Sequence, residues 1–214
     1  MGGKLLTEGD RRVIEEAIRK AEAKTSGEIV FAVADASAHY QHATIQGAVI
    51  GMAAAAAAYL ALTATHSITA LLWIELISFA SLQALLPHLP WRRYLIPRRE
   101  LDARVHEAAF MQFYSSGLYH TRESNGVEIY LSIFERRVVV IGDMGIHEKM
   151  GNPHWDEVRD TIIRGIKQGK AGEGIAAAIE TCGSALSKHF PHRADDTNEL
   201  SDQVIDRRLD PEAP

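Results

Sequence analysis

The sequence has very little cysteine and no excess of positive charge. Its single cysteine, Cys182, excludes an internal disulfide and a zinc site built from cysteines. The formal net charge of −5 gives no general basic surface, so we expect no nucleic-acid partner. The motifs G-x-S-x-G and H-E-x-x-H and the P-loop are also absent, which argues against the serine hydrolases, zinc proteases and nucleotide triphosphatases that use them. No organic cofactor is expected.

Charge is almost missing from one long stretch of the chain. Between Asp35 and Arg92 the only charged residue is Glu75. Two apolar spans of 22 residues, 44–65 and 68–89, lie in this stretch. As helices each would reach about 33 Å, against about 30 Å for the hydrocarbon core of a bilayer. Since only His66 and Ser67 separate them, they predict a transmembrane helical hairpin; an alanine-rich hairpin buried in a soluble bundle is the alternative.

The flanks of the hairpin predict its orientation. The tip has no Lys or Arg, whereas five arginines follow the second span: Arg92, Arg93, Arg98, Arg99 and Arg104. The positive-inside rule places this flank in the cytoplasm. Because two spans return the chain to its starting side, we expect a bacterial inner-membrane protein with both termini in the cytoplasm.

Two features of the spans predict helix contacts. Gly47 and Gly51 give the first span a small-residue face that lets a second helix approach closely. Glu75 is a costly carboxylate inside the second span, so we expect it to face the partner helix or another subunit; a transport role is the alternative.

Outside the hairpin, hydrophobic periodicity predicts four helices and three strands. The helices are 8–24, 98–116, one that begins at Asn152-Pro153, and one that ends near His189; the strands are 28–35, 127–134 and 137–142. The first strand is apolar on both faces and therefore central. The charged tail from residue 191 is expected to be loosely ordered.

This order of elements predicts an α/β domain, with helices on both faces of a small mixed sheet and the hairpin as an insertion. We expect the domain to comprise 1–43 and 91–192, the hairpin 44–90 and the charged tail 193–214. A crossover from the first strand to the second through a covering helix is most simply parallel. Glu135-Arg136 then joins the second and third strands as an antiparallel hairpin.

With this topology three strand ends meet at one edge of the sheet. The edge would carry four oxygen donors: Glu28, Glu123, Asn125 and Asp143. Carboxylates mixed with an amide suit Ca²⁺ or Mg²⁺, and the glycines beside Asp143 let the backbone approach an ion or a phosphate. Alternatively, Asp143 is only a turn former and Glu28 a capping or pairing group. No catalytic residue is predicted.

Several segments resemble the TPM domain family, and within it bacterial membrane proteins that insert a transmembrane hairpin after the first strand. They are TSGEI at 25–29, SNGVEIYLSIFERRVVVIGDMGI at 124–146, and GKAGEGIAAAIETCGSALSKHFP at 169–191 followed by NEL. The resemblance covers about 7–205 and implies an α/β/α sandwich. Family members include proteins linked to photosystem repair, some with acid phosphatase activity and some that bind calcium.

Two functions fit these observations. The first is a membrane-anchored module without enzymatic activity that binds a divalent ion or a partner in membrane-protein maintenance or assembly. The alternative is a metal-assisted, acid-phosphatase-like hydrolase in which Asp143 and Glu28 hold the ion. Near Asp143 the predicted topology offers only Arg122 to meet a phosphate, which favours binding. The expected partners are the lipid bilayer and either other membrane proteins or a second copy through the hairpin.

Overall fold

The structure is a computed structural model that describes residues 5–64, 67–150, 153–193 and 198–207. The predicted hairpin turn at His66, the helix start at Asn152 and parts of the tail 193–214 lie outside these ranges. The chain forms two compact units. One comprises Met1–Ser37 with Ala103–Pro214, and the other is Ala38–Asp102.

All the predicted helices and strands are present in the described residues, together with two short elements that the sequence analysis missed. In chain order the elements are α1 (Glu8–Glu22), β1 (Ile29–Ala34), α2 (Gln41–Leu62), α3 (Ile68–Leu85), α4 (Arg98–Ser115), β2 (Val127–Ser132), β3 (Arg137–Gly142), α5 (Met144–Met150), α6 (Pro153–Lys167), α7 (Ala171–His189) and β4 (Ile205–Asp206). Short 3₁₀ turns lie at Leu86–His88, Pro90–Leu95 and Leu118–His120. The missed elements are α5 and β4.

The four strands form one mixed sheet in the order β3-β2-β1-β4. β1 runs parallel to β2, with Ile29 opposite Val127, and β2 runs antiparallel to β3, with Val127 opposite Gly142. Both predicted orientations are therefore confirmed. β1 is central, as its two apolar faces predict.

Helices cover both faces of this sheet. Phe31 and Val33 belong to the larger core, which includes buried residues of α1, α6 and α7. Ala32 and Ala34 point to the opposite face and pack with Val105 and Ala109 of α4. Since neighbouring strand residues face opposite sides, this alternation produces the α/β/α sandwich that the sequence analysis predicts.

Helix α1 shows why the chain turns helical at residue 8. Thr7 Oγ1 accepts a hydrogen bond from the Asp10 amide (3.2 Å), and the Asp10 carboxylate accepts one from the Thr7 amide (2.8 Å). This capping box satisfies two amides that the first turn would otherwise leave without partners. Ile14 and Ile18 then lie one turn apart on the buried face of the helix.

The tail is ordered over residues 198–207, contrary to the expectation of a loose segment. Ile205 pairs with Ala32 at the free edge of β1, and the Arg207 amide donates to the Val33 carbonyl (3.0 Å). Val204 is buried in the larger core, and Asp206 forms an ion pair with Arg11 of α1. An open sheet edge offers unpaired backbone groups, and this short strand satisfies some of them.

The second unit contains α2 and α3, two helices long and apolar enough to cross a membrane. They pack against each other. The small-residue face of α2 makes this contact, because a Cβ added to Gly51 would meet Leu82 of α3 and one added to Gly47 would lie 3.0 Å from Leu86. α3 has no fully buried residue, and several of its large apolar side chains, such as Trp73 and Ile77, are exposed.

The crossing of α6 and α7 depends on two facing glycines. A Cβ on Gly174 would lie 2.7 Å from the Cα of Gly165, inside any normal contact distance. Helices that meet backbone to backbone can accept an added methyl only by moving apart, which loosens the core around them.

We therefore expect Gly174→Ala to lower the free energy of unfolding of the α/β domain by about 1–3 kcal/mol. Urea unfolding of the full chain in detergent, followed by circular dichroism, measures this change. Gly9→Ala is the matched control, since its Cβ would have only Thr7 Oγ1 nearby, at 3.6 Å. Equal losses in the two variants would contradict the role of the glycine contact.

Candidate cation site at the edge of the sheet

The ends of three strands meet at one edge of the sheet. The Val127 amide donates to the Glu28 carbonyl (2.8 Å), and the Asp143 amide donates to the Gly126 carbonyl (2.9 Å). These two hydrogen bonds continue the pairing of β1 with β2 and of β2 with β3 by one residue. The structure therefore brings the backbone of Glu28, Gly126 and Asp143 side by side.

Asp143 is the single residue between β3 and α5. Its carbonyl accepts hydrogen bonds from the amides of Ile146 (3.0 Å) and His147 (3.2 Å), and its Oδ1 accepts one from Met144 (2.7 Å). Its Oδ2 is buried and has no hydrogen-bond donor in the described part of the chain. The turn-former interpretation thus explains one carboxylate oxygen and leaves the other without a partner.

Asn125 lies at the start of β2 and is 3% exposed. Its side-chain Nδ2 donates to the Ser26 carbonyl (2.5 Å), and its backbone amide donates to Thr121 Oγ1 (3.2 Å). These contacts hold the side-chain amide in place. Among residues 5–64, 67–150, 153–193 and 198–207, no donor reaches Asn125 Oδ1, which is also buried.

Glu28 and Glu123 each have a partner that the sequence analysis did not foresee. Glu28 is 6% exposed, and its Oε1 accepts a hydrogen bond from the Glu199 amide (3.2 Å). Glu123 is more exposed and forms an ion pair with Arg193. The predicted phosphate contact Arg122 uses its backbone amide to bind the Glu199 carboxylate (3.1 Å).

Gly145 allows a close contact between two backbone segments. A Cβ there would lie 2.7 Å from the Glu123 carbonyl oxygen and 2.9 Å from that of Ser124. The glycine therefore lets α5 pack directly on the loop before β2. This close packing places the loop that carries Asn125 next to Asp143.

A pocket of about 280 Å³ opens beside Glu28 and contains two carboxylates that the sequence analysis missed, Glu22 and Asp202. Glu22 accepts a hydrogen bond from the Ile29 amide (2.9 Å). Burial raises the pKa of the Glu22 carboxyl to about 8, the Ile29 amide opposes this, and the negative charges of Glu28 and Asp202 raise it further. No sequence signal marks Asp202, because its position depends on the docking of the tail.

A third acid is buried inside the sheet layer. Glu128 of β2 is fully buried, and neither carboxylate oxygen has a hydrogen-bond partner in the ranges that the structure describes. Burial raises the pKa of Glu128 to about 9, and the positive charge of Arg207 opposes the shift only in part. The carboxyl is therefore neutral at physiological pH. A charged residue within the apolar run VEIYLSIF was the signal that could have identified it.

The described residues contain no group of three or more His, Cys, Asp and Glu side chains arranged to hold a metal ion. Any cation at this edge would depend partly on other oxygens, such as the Asn125 amide. Amide and carboxylate oxygens together are typical ligands of Ca²⁺ and, with more water, of Mg²⁺. The carboxylate and amide oxygens at this edge are therefore of the chemical type that binds Ca²⁺ or Mg²⁺.

The fold and this edge define a class of protein, an α/β/α domain interrupted after its first strand by two long apolar helices. Residues 96–185 match the family model of the TPM domain. This match confirms the resemblance to the TPM domain family that the motifs predict.

A solved structure is similar over almost the whole chain. It is the NMR structure of the BA42 protein from the psychrophilic bacterium Bizionia argentinensis, with a TM-score of 0.59 and 23% sequence identity. The alignment covers 96% of this chain and 98% of that chain. At this identity the likeness shows the fold alone. No curated protein matches the sequence.

The buried acids predict that stability falls as the pH rises. The pKa values of Glu22 and Glu128 are raised from the ordinary 4.5 to about 8 and about 9, so the folded state keeps protons that the unfolded state releases. The stabilisation that these two acids contribute to the folded state is complete below about pH 4.5 and is lost as the pH rises through 8–9. Over this range each group lowers the free energy of unfolding by up to about 1.4 kcal/mol per pH unit.

We expect Glu128→Gln, which mimics the neutral acid and cannot ionise, to make this decline shallower. The variant should exceed the wild type in unfolding free energy by a few kcal/mol at about pH 8.5 and by much less at about pH 5. Urea unfolding at several pH values measures both slopes. Glu107→Gln removes an exposed carboxylate and is the control. If Glu128→Gln has the wild-type slope, the acid is not buried in its neutral form.

Proposed function

We propose that this protein is a membrane-anchored module whose TPM domain binds a divalent cation at the sheet edge formed by Glu28, Asn125 and Asp143. Through this site it would serve the maintenance or assembly of other membrane proteins. The two apolar helices would anchor it in the bilayer, with both termini in the cytoplasm. Ca²⁺ and Mg²⁺ are the ions that the donor set favours.

One observation carries this proposal. Asn125 Oδ1 and Asp143 Oδ2 are buried acceptors at the same edge, and each has no donor in the described part of the chain. Buried polar atoms in native proteins almost always have a partner, because an unsatisfied one costs about 1–3 kcal/mol. Both atoms are oxygens that accept and cannot donate, so a cation would satisfy them.

The other two predicted ligands would contribute differently. Glu28 has a largely buried side chain, and its backbone carbonyl binds the first residue of β2. Glu123 would join the site only by leaving Arg193, with which it is paired. When bound, the ion would supply positive charge that holds the start of β2 and the junction of β3 and α5 together. Because the ion binds the folded state, its presence would raise the stability of the domain.

We expect millimolar Ca²⁺ or Mg²⁺ to raise the unfolding temperature of the full chain in detergent. When the free ion is at a hundredfold excess over its Kd, the free energy of unfolding rises by about 2.7 kcal/mol. Each kcal/mol raises the unfolding temperature by roughly 2–4 °C. Asp143→Asn should remove most of this shift, because it takes away the negative charge and keeps the shape. Differential scanning calorimetry with and without the metal measures it.

The control is Asp35→Asn, an exposed aspartate that follows β1 at the opposite edge of the sheet. It should keep the full metal shift. A shift that is equal in both variants would refute the site. The hydrolase alternative rests on Arg193, which brings a guanidinium to this edge through its ion pair with Glu123. Metal-dependent cleavage of a phosphate ester that Asp143→Asn abolishes would favour that alternative.

The proposed topology has its own test. The arginines that follow α3 favour a cytoplasmic location for this flank and hence for both termini. Phosphatase and fluorescent-protein fusions at each terminus report the side of the membrane. We expect fluorescence and no periplasmic phosphatase activity from both. The opposite pattern would invert the topology without affecting the cation site.

A further inference from the structure

A second pocket lies in the unit Ala38–Asp102, at the ends of the two apolar helices. It has a volume of about 370 Å³ and is lined by the first turns of α2, the end of α3 and the turn that follows. Its polar lining residues include His39, Gln41, Thr44, Gln83 and Arg92. None of the lining residues in the described part of the chain is acidic.

The pocket marks the boundary between apolar and charged sequence. Ile45 and Pro87 line it on the apolar side. From residue 45 to Leu62, helix α2 has no charged residue and spans about 27 Å, close to the thickness of a hydrocarbon core. In a membrane-spanning hairpin the pocket would therefore lie at the level of the lipid headgroups.

The pocket is suited to an anion. Arg92 has five N–H donors in a planar fork, so it can hold a phosphate and still keep another contact. Tyr40, the residue that precedes α2, makes no side-chain capping hydrogen bond, and Gln41 in the first turn of the helix lines the pocket. The amides of a first turn add donors and a positive dipole end.

The other charged residues near the pocket also favour an anionic ligand. The Glu100 carboxylate lies 3.1 Å from His42 Nε2, so this nearby acid has a partner of its own. Arg93 donates to the hydroxyl of Tyr94 (2.8 Å) and lies over its ring. Arg98 and Arg99 are exposed at the start of α4. Four arginines within eight residues, directly after an apolar helix, are typical of a segment that meets anionic lipid.

We propose that this pocket binds the phosphate of an anionic phospholipid headgroup, such as phosphatidylglycerol, with Arg92 as the main contact. The inference rests on the membrane anchoring proposed above. Free phosphate shares the same chemistry. The apolar lining residues Ile45 and Pro87 favour the lipid, because an inorganic ion has no apolar part to place against them.

Native mass spectrometry of the full chain in detergent tests this site, with dioctanoyl phosphatidylglycerol and dioctanoyl phosphatidylcholine as probes. The wild type should bind the anionic lipid about tenfold more tightly than the zwitterionic one, and Arg92→Gln should lose most of this preference. Arg98→Gln removes the same charge outside the pocket and should lose less than about twofold. Arg92→Lys, which keeps the charge without the planar fork, should fall between them.

Three outcomes would overturn the proposal. Equal losses in Arg92→Gln and Arg98→Gln would mean a diffuse charge effect with no site. Equal binding of the two lipids would exclude headgroup selection. Displacement of the lipid by millimolar inorganic phosphate would assign the pocket to the free ion. Carbonate extraction of the membranes separates these results from a failure of anchoring, since an inserted protein stays in the membrane whatever its lipid preference.

Discussion

The parallel pairing of β1 with β2 is the constraint on which the rest of the domain depends. These strands lie on either side of the inserted hairpin in the sequence, and a parallel pair always needs a long crossover. Both strands are buried on both faces, so a slip of one residue would turn Phe31 and Val33 toward the wrong layer. The register is therefore strongly specified, and with it the edge where Glu28, Asn125 and Asp143 meet.

Within this frame the protein buries polar groups in two different ways. At the sheet edge, Asn125 Oδ1 and Asp143 Oδ2 are buried where strand ends and loops converge, and a pocket beside Glu28 opens to solvent. Inside the layer between the sheet and α4, Glu128 has no hydrogen-bond partner among the described residues and remains neutral. The pocket gives a ligand a route to Glu28, which makes this edge the better candidate for function. Burying Glu128 without a partner costs stability.

The unit Ala38–Asp102, which contains the two long apolar helices, follows different constraints. Few residues of its two long helices are buried: α3 has none, and the buried residues of α2 are Ala43, Thr44 and Ala48. Their length, composition and small-residue contact suit a bilayer, where close packing and lipid contact replace a hydrophobic core. In our proposal the arginine flank and the polar pocket at their ends meet the lipid headgroups.

The sequence by itself determined the long elements, the hairpin, the parallel and antiparallel pairings and the sheet edge, because hydrophobic periodicity and charge are local signals. Only the tertiary structure decided the two short elements α5 and β4 and the partners of the site residues. A two-residue strand has no pattern of its own, and its position comes from the open edge of β1. Glu28 meets Glu199 across 171 residues and Glu123 meets Arg193 across 70. Such contacts depend on how the layers pack, and no short-range pattern carries that information.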